Sequence, residues 1–153
     1  MKQLALCCLV GLGLFAVVLA EDAKNDATKK DRMLLEGTWQ VVSMEINGDK
    51  SDPADARKIS VINGADGIWS LRSEGQEVAR GTNSLDGSKS PKTVDLVPLD
   101  GDKKGELYLG IYEINDKIRR LCFAPPLMAR PTEFATQTGS QWILVTFERV
   151  KPK

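Results

Sequence analysis

Glu106–Ala124, ELYLGIYEINDKIRRLCFA, decides the fold. From Leu107 to Ile114 apolar residues fall on both faces of an extended chain, as expected of a strand covered on both sides. Asn115-Asp116-Lys117 then makes a tight turn. The next strand alternates, with Leu121 and Phe123 on one side and Ile118 and Cys122 on the other. Two strands joined by so short a polar turn form an antiparallel hairpin, and the first is expected at the centre of a sheet.

The same two-residue period continues outward. TWQVVSMEI (38–46) predicts a strand with Val42, Met44 and Ile46 on one face. Ile59 and Val61, then Trp69 and Leu71, then Val94 and Leu96 mark three more, and EVARGTNSL (77–85) a weaker one. NGDKSDP, EGQE, DGSKSP and DGDKKG separate them with turn residues. After the proline-rich PPLMARPTEFATQTGS comes a last strand, QWILVTFERV (141–150). Before the first strand, Asp31 is positioned to cap one helical turn that carries Met33, Leu34 and Leu35 and ends at Gly37. The sum is an all-β chain: about eight short antiparallel strands after one helical turn, a pattern that closes into a barrel without leaving an edge. A barrel of that size is filled by side chains or holds one small ligand.

The N-terminus reads differently. Lys2 precedes an uncharged run from Leu4 to Ala20, and Glu21-Asp22 opens a polar stretch. This is the pattern of a cleaved signal peptide over 1–20, with a secreted or periplasmic product. The competing reading is a membrane anchor, because the run approaches the lower length limit of a span. Residues 21–30, EDAKNDATKK, are expected as a flexible leader. Residues 31–150 form the barrel domain.

Composition narrows the chemistry. The chain has 21 basic and 21 acidic residues, so nothing in its charge supports nucleic-acid binding. It has no histidine, which removes Ser–His–Asp and Cys–His catalysis and histidine-ligated zinc. Of the three cysteines only Cys122 lies beyond the signal, so the exported chain has no intrachain disulfide. Neither a cofactor nor a metal site is indicated, and no catalytic residue is assigned. A carboxylate-based hydrolase is the remaining enzymatic alternative. The acidic residues fall mostly in turns, including Asp49, Asp52, Asp66, Asp100 and Asp116, where turn chemistry accounts for them.

Two groups of residues carry a resemblance. Leu35-Glu36-Gly37-Thr38-Trp39 resembles the Gly-x-Trp opening of lipocalin-like barrels. There the tryptophan closes the bottom beneath an arginine from the end of the last strand, and the matching places are Trp39 and Arg149. LEGTWQVVSMEINGDK, SPKTVDL, KGELYLGIYEI and LCFAPPLMARPTEF, in that order, resemble the small lipocalin-like domain repeated in planctomycete proteins. The matching positions are Gly37, Thr38, Trp39, Pro91, Lys92, Asp95, Gly110, Ile111, Tyr112, Leu121, Cys122, Arg130, Pro131, Thr132, Glu133 and Phe134. The resemblance implies the fold and no biochemical activity, since that family has none established.

Candidate site residues follow from position. Tyr112 and Tyr108 share one face of the central strand, and a hydroxyl inside a barrel needs a partner, so both are candidate ligand contacts. Trp39, Trp69 and Trp142 either line a ligand cavity or, more often for such residues, form the core, with Trp39 as a bottom plug. Arg130, held extended by Pro131, either binds a ligand anion or pairs with a barrel carboxylate, Asp95 being the candidate. Cys122 is either a ligand-contacting or reactive thiol or a small filler inside the barrel. Lys92 either meets an anion or is solvated, and the solvated outcome, the more frequent for lysine, is the one expected. Gly37, Trp39, Asp95, Arg130, Pro131 and Arg149 form the expected structural signature. The function expected is a small-ligand-binding module for an apolar or amphipathic molecule, without a stable membrane span after cleavage. The alternative is a structural or protein-interaction module, with a protein partner and a barrel packed solid.

Overall fold

The computed structural model describes residues 13–152, with side chains from Glu21 onward. The predicted signal peptide therefore lies largely outside the described residues, as do Cys7 and Cys8. The elements are α1 (Gly13–Leu35), β1 (Gly37–Ile46), β2 (Asp49–Lys50), α2 (Pro53–Ala56), β3 (Ile59–Asn63) and β4 (Ile68–Ser73). They continue with β5 (Gln76–Asp86), β6 (Lys92–Pro98), β7 (Tyr108–Ile114), β8 (Ile118–Phe123) and β9 (Ile143–Arg149).

Each long strand pairs antiparallel with its successor, and β9 returns to β1, closing an eight-stranded lipocalin-like barrel. The two-residue β2 pairs only with the last residues of β1. The β7–β8 hairpin has the expected turn: Asn115 Oδ1 accepts from the N–H groups of Lys117 (2.9 Å) and Ile118 (2.8 Å). Asp52 caps α2 by accepting from Ala54 N at 2.7 Å, with Pro53 opening the helix. Ala56 of α2 is fully buried against the core.

The inner faces of β3, β4 and β6 carry the expected residues. In β1 the register shifts between Val41 and Ser43 where it pairs with β9. This bulge moves the inward parity by one. Trp39 and Val41 point in before it, and Met44 and Ile46 line the interior after it. Val42, expected with Met44 and Ile46, is therefore not on their face.

α1 corrects the expectation of a leader followed by one turn. The helix is continuous through 21–30 into Leu35, and Asp31 lies inside it rather than capping it. Its Ala, Lys and Glu content suits a helix. Polar contacts fix it to the barrel: Thr28 Oγ1 accepts from Gly87 N at 3.0 Å, and Lys24 Nζ lies 3.4 Å from Asp86. Among the described residues no helix is long and apolar enough to cross a membrane.

α1 meets one end of the barrel. Trp39 is fully buried there, and its indole N–H donates to Leu35 O at 2.8 Å. Arg149 lies 4.3 Å over the indole and donates to the carbonyls of Glu36 (2.8 Å), Asp116 (2.9 Å) and Leu34. The guanidinium thus stacks on the plug and ties off the C-terminal carbonyls of α1, a contact of about 0.5–2 kcal/mol from the stacking alone. Gly37 takes φ +110° between helix and strand, with Arg149 so close that a Cβ would sit 3.2 Å from it.

On the outside, residues 124–142 cross over β6, β7 and β8. Ile111, Cys122 and Pro131 are buried beneath this crossing or within it. Arg120 stacks 4.8 Å from the Phe134 ring. At its far side the crossing is pinned to the β1–β2 turn: Asn47 Oδ1 accepts from Gly139 N (2.8 Å) and Gln141 N (2.9 Å).

Candidate functional site

The inward side chains of the barrel do not fill it. They enclose a cavity of about 310 Å³. Val41, Met44, Val61, Trp69, Leu71, Leu85, Val94, Leu96, Leu121, Val145 and Phe147 form its apolar wall. Gly81 lets Trp69 lie flat against β5, since a Cβ there would meet the indole ring at 2.3 Å. The indole N–H donates to Thr82 O at 2.9 Å, which leaves its apolar surface for the cavity. At the end away from α1 the wall is made by Ile46, Pro98, Tyr108, Phe123 and Ile143. Ile46 is 42 % exposed, so the cavity reaches solvent on that side.

Among the described residues no aspartate, glutamate or lysine lines the cavity; its polar lining is Asn63, Asn83, Tyr108, Tyr112 and Arg119. Both candidate tyrosines are thus in the wall, but their hydroxyls are engaged. Tyr108 OH donates to Glu106 at 3.1 Å, and its ring meets Phe123 edge-on at 6.1 Å. Tyr112 OH donates to Asp31 Oδ2 at 2.7 Å. Burial first, and the Asp31 hydrogen bond second, hold this phenol well above its ordinary pKa. Tyr112 offers the cavity its ring rather than its hydroxyl.

Asp31 is 3 % exposed and joins α1 to the barrel. It accepts from Tyr112 and from Lys92 Nζ at 2.9 and 2.8 Å. Lys92, expected to be solvated, is therefore an ion-pair partner that also lies 6.0 Å from the Tyr112 ring centre. Beside it Arg32 donates to the side chain of Asn83 and, at 3.2 Å, to its backbone carbonyl.

Two polar residues of the cavity lack such partners. Arg119 is 6 % exposed and Asn63 is 4 % exposed. Arg119 Nε and Asn63 Nδ2 are buried without a hydrogen-bond acceptor among the described residues. The Arg119 guanidinium lies 3.9 Å from the Phe147 ring centre and 5.6 Å from that of Trp39. Burial, then the like charge of Arg149, pull its pKa below the ordinary arginine value. The sequence gives a signal for Arg119: alternation puts it on the face of Leu121 and Phe123.

Arg130 and Cys122 are not in the cavity wall. Arg130 sits on the outer face, where Nη2 donates to Asp95 Oδ1 at 2.6 Å. Its Nη1 donates to Gly110 O (2.7 Å) and Val94 O (3.0 Å). Cys122 is fully buried, but under the crossing rather than inside the barrel, with Sγ 3.7 Å from Ala135 O. The parity of β8 requires this, because Leu121 and Phe123 take the interior. Burial pushes the Cys122 thiol up to about 11. Trp142 is half-buried and also outside the wall.

No protein-family model, no curated protein and no solved structure matches the chain.

Proposed function

We propose that this chain is an exported, lipocalin-like binding module for one small, largely apolar ligand held inside the barrel. The observation that carries the reading is the cavity itself. Its volume of about 310 Å³ is within the range of small-molecule sites, at the small end. Its wall is apolar with a few polar groups at one end, the usual composition of such sites. An interior of this size weighs against the alternative of a barrel packed solid for protein interaction. Export is supported by Lys2 and the uncharged run to Ala20.

Calorimetric titration with 1-decanol tests the reading. Burying about ten carbons at roughly 0.8 kcal/mol each corresponds to a dissociation constant near micromolar before ordering costs. The expected result is saturable one-to-one binding, weakened at least tenfold in a folded Leu96→Trp variant whose indole occupies the cavity. Absence of saturable binding to the wild-type protein contradicts it.

A further inference from the structure

Resting on that reading, the geometry points to an acidic amphiphile as the ligand: a short- or medium-chain carboxylate whose head group meets Arg119, with Asn63 as a second donor at the same end. Three observations carry it. Arg119 is a cation in a mostly apolar wall whose other polar residues are uncharged, and among the described residues no carboxylate lines that cavity with it. The guanidinium lies 3.9 Å from the Phe147 ring centre and 5.6 Å from that of Trp39, contacts that use none of its N–H groups on an oxygen acceptor. Among the described residues its Nε has no acceptor, and neither has Nδ2 of Asn63.

A buried charge without a hydrogen-bonding partner is costly, and so is a buried amide N–H. Every other polar group of the lining avoids that cost. Arg32 engages Asn83, Asp31 engages Tyr112, and Glu106 engages Tyr108. The two exceptions are both donors, at the α1 end. A carboxylate oxygen supplies what each lacks, whereas an ammonium group would meet the like charge of Arg119. The apolar wall then takes the tail, which extends toward the solvent-reaching side at Ile46. Polar placement at the closed end thus fixes both the sign of the head group and the direction of entry, tail last.

The test compares ligands of one chain length and different heads: decanoate, 1-decanol and decylamine, titrated into the full chain at pH 7.5 and again in 0.5 M NaCl. The expected order has decanoate at least tenfold tighter than decanol, with decylamine weakest. The preference persists in salt, because a buried pair is poorly screened. Arg119→Met removes the decanoate preference, so that decanoate binds no more tightly than decanol to the folded variant. The wild-type comparison stands even where that variant fails to fold. Equal binding of decanoate and decanol to the wild-type protein overturns the acidic head group while leaving the binding module intact. Failure of all three to bind overturns both.

Discussion

Two arginines on opposite sides of one barrel wall show how differently the same side chain is used. Arg130 lies outside, where its guanidinium donates to Asp95, Gly110 and Val94 and ties the 124–142 crossing to β6 and β7. Arg119 lies inside, against the rings of Phe147 and Trp39, with an N–H that has no acceptor among the described residues. Satisfaction of hydrogen bonds, rather than charge or position in the sequence, separates this structural arginine from the one proposed to meet a ligand. The first stabilises the fold. The second leaves the fold carrying a local cost that a ligand can relieve.

Substitutions sharpen that contrast. The largest effect is expected at the plug that both the helix and the barrel share. Trp39→Ala should destabilise the protein by about 3–5 kcal/mol, read as a large drop in thermal midpoint. Arg130→Ala should cost about 1.5–3 kcal/mol through the lost carbonyl contacts, while the ratio of decanoate to decanol affinity stays as in the wild type. A changed ratio would move Arg130 from scaffold to site. Asp31→Ala leaves the buried Tyr112 hydroxyl unpartnered and should cost about 1–3 kcal/mol, less if Lys92 turns to water. Arg119→Met should be neutral or stabilising in the absence of ligand, because an apolar group replaces an uncompensated buried charge. A strong destabilisation there would mean that ring stacking alone justifies the charge.

The smallest expected effect is at Cys122. With its thiol held up to about 11 by burial, it should resist alkylation in the native protein at pH 8 and react after denaturation. The sign for stability follows from the direction of the shift. The folded thiol keeps its proton to higher pH than the unfolded one, so its contribution is intact below about 9. That contribution is lost as pH rises toward about 11. Chemical denaturation at pH 8 and pH 10.5 reads the difference.

The barrel was legible because its signal is local. The two-residue period and the turn residues placed the strands, and Asn115-Asp116-Lys117 turned where expected. Parity failed at Val42 because a bulge leaves no mark in an apolar run. The helical course of residues 21–30 was hidden for a related reason: it is fixed by Thr28 and Lys24 to loop partners, and polar contacts leave no apolar stripe. Of the candidate site, the tyrosine face was readable from alternation. The partners of Tyr112 were not: Lys92 stands opposite it on the paired strand β6, and Asp31 reaches it from α1, both set by tertiary packing rather than by local pattern. Cys122 illustrates the limit of parity alone. Its side of the strand was clear relative to Leu121, yet which side faced inward depended on the crossing that covers the other.

The central claim, that an acid head group meets Arg119 inside the barrel, is tested most directly by ¹⁵N NMR of arginine Nε–H groups during titration with decanoate. The Arg119 signal is identified by its loss in Arg119→Met. The account predicts that this resonance shifts with saturation at one equivalent, while those of Arg130 and Arg149 stay in place. An Arg119 resonance that does not move while decanoate binds would contradict it.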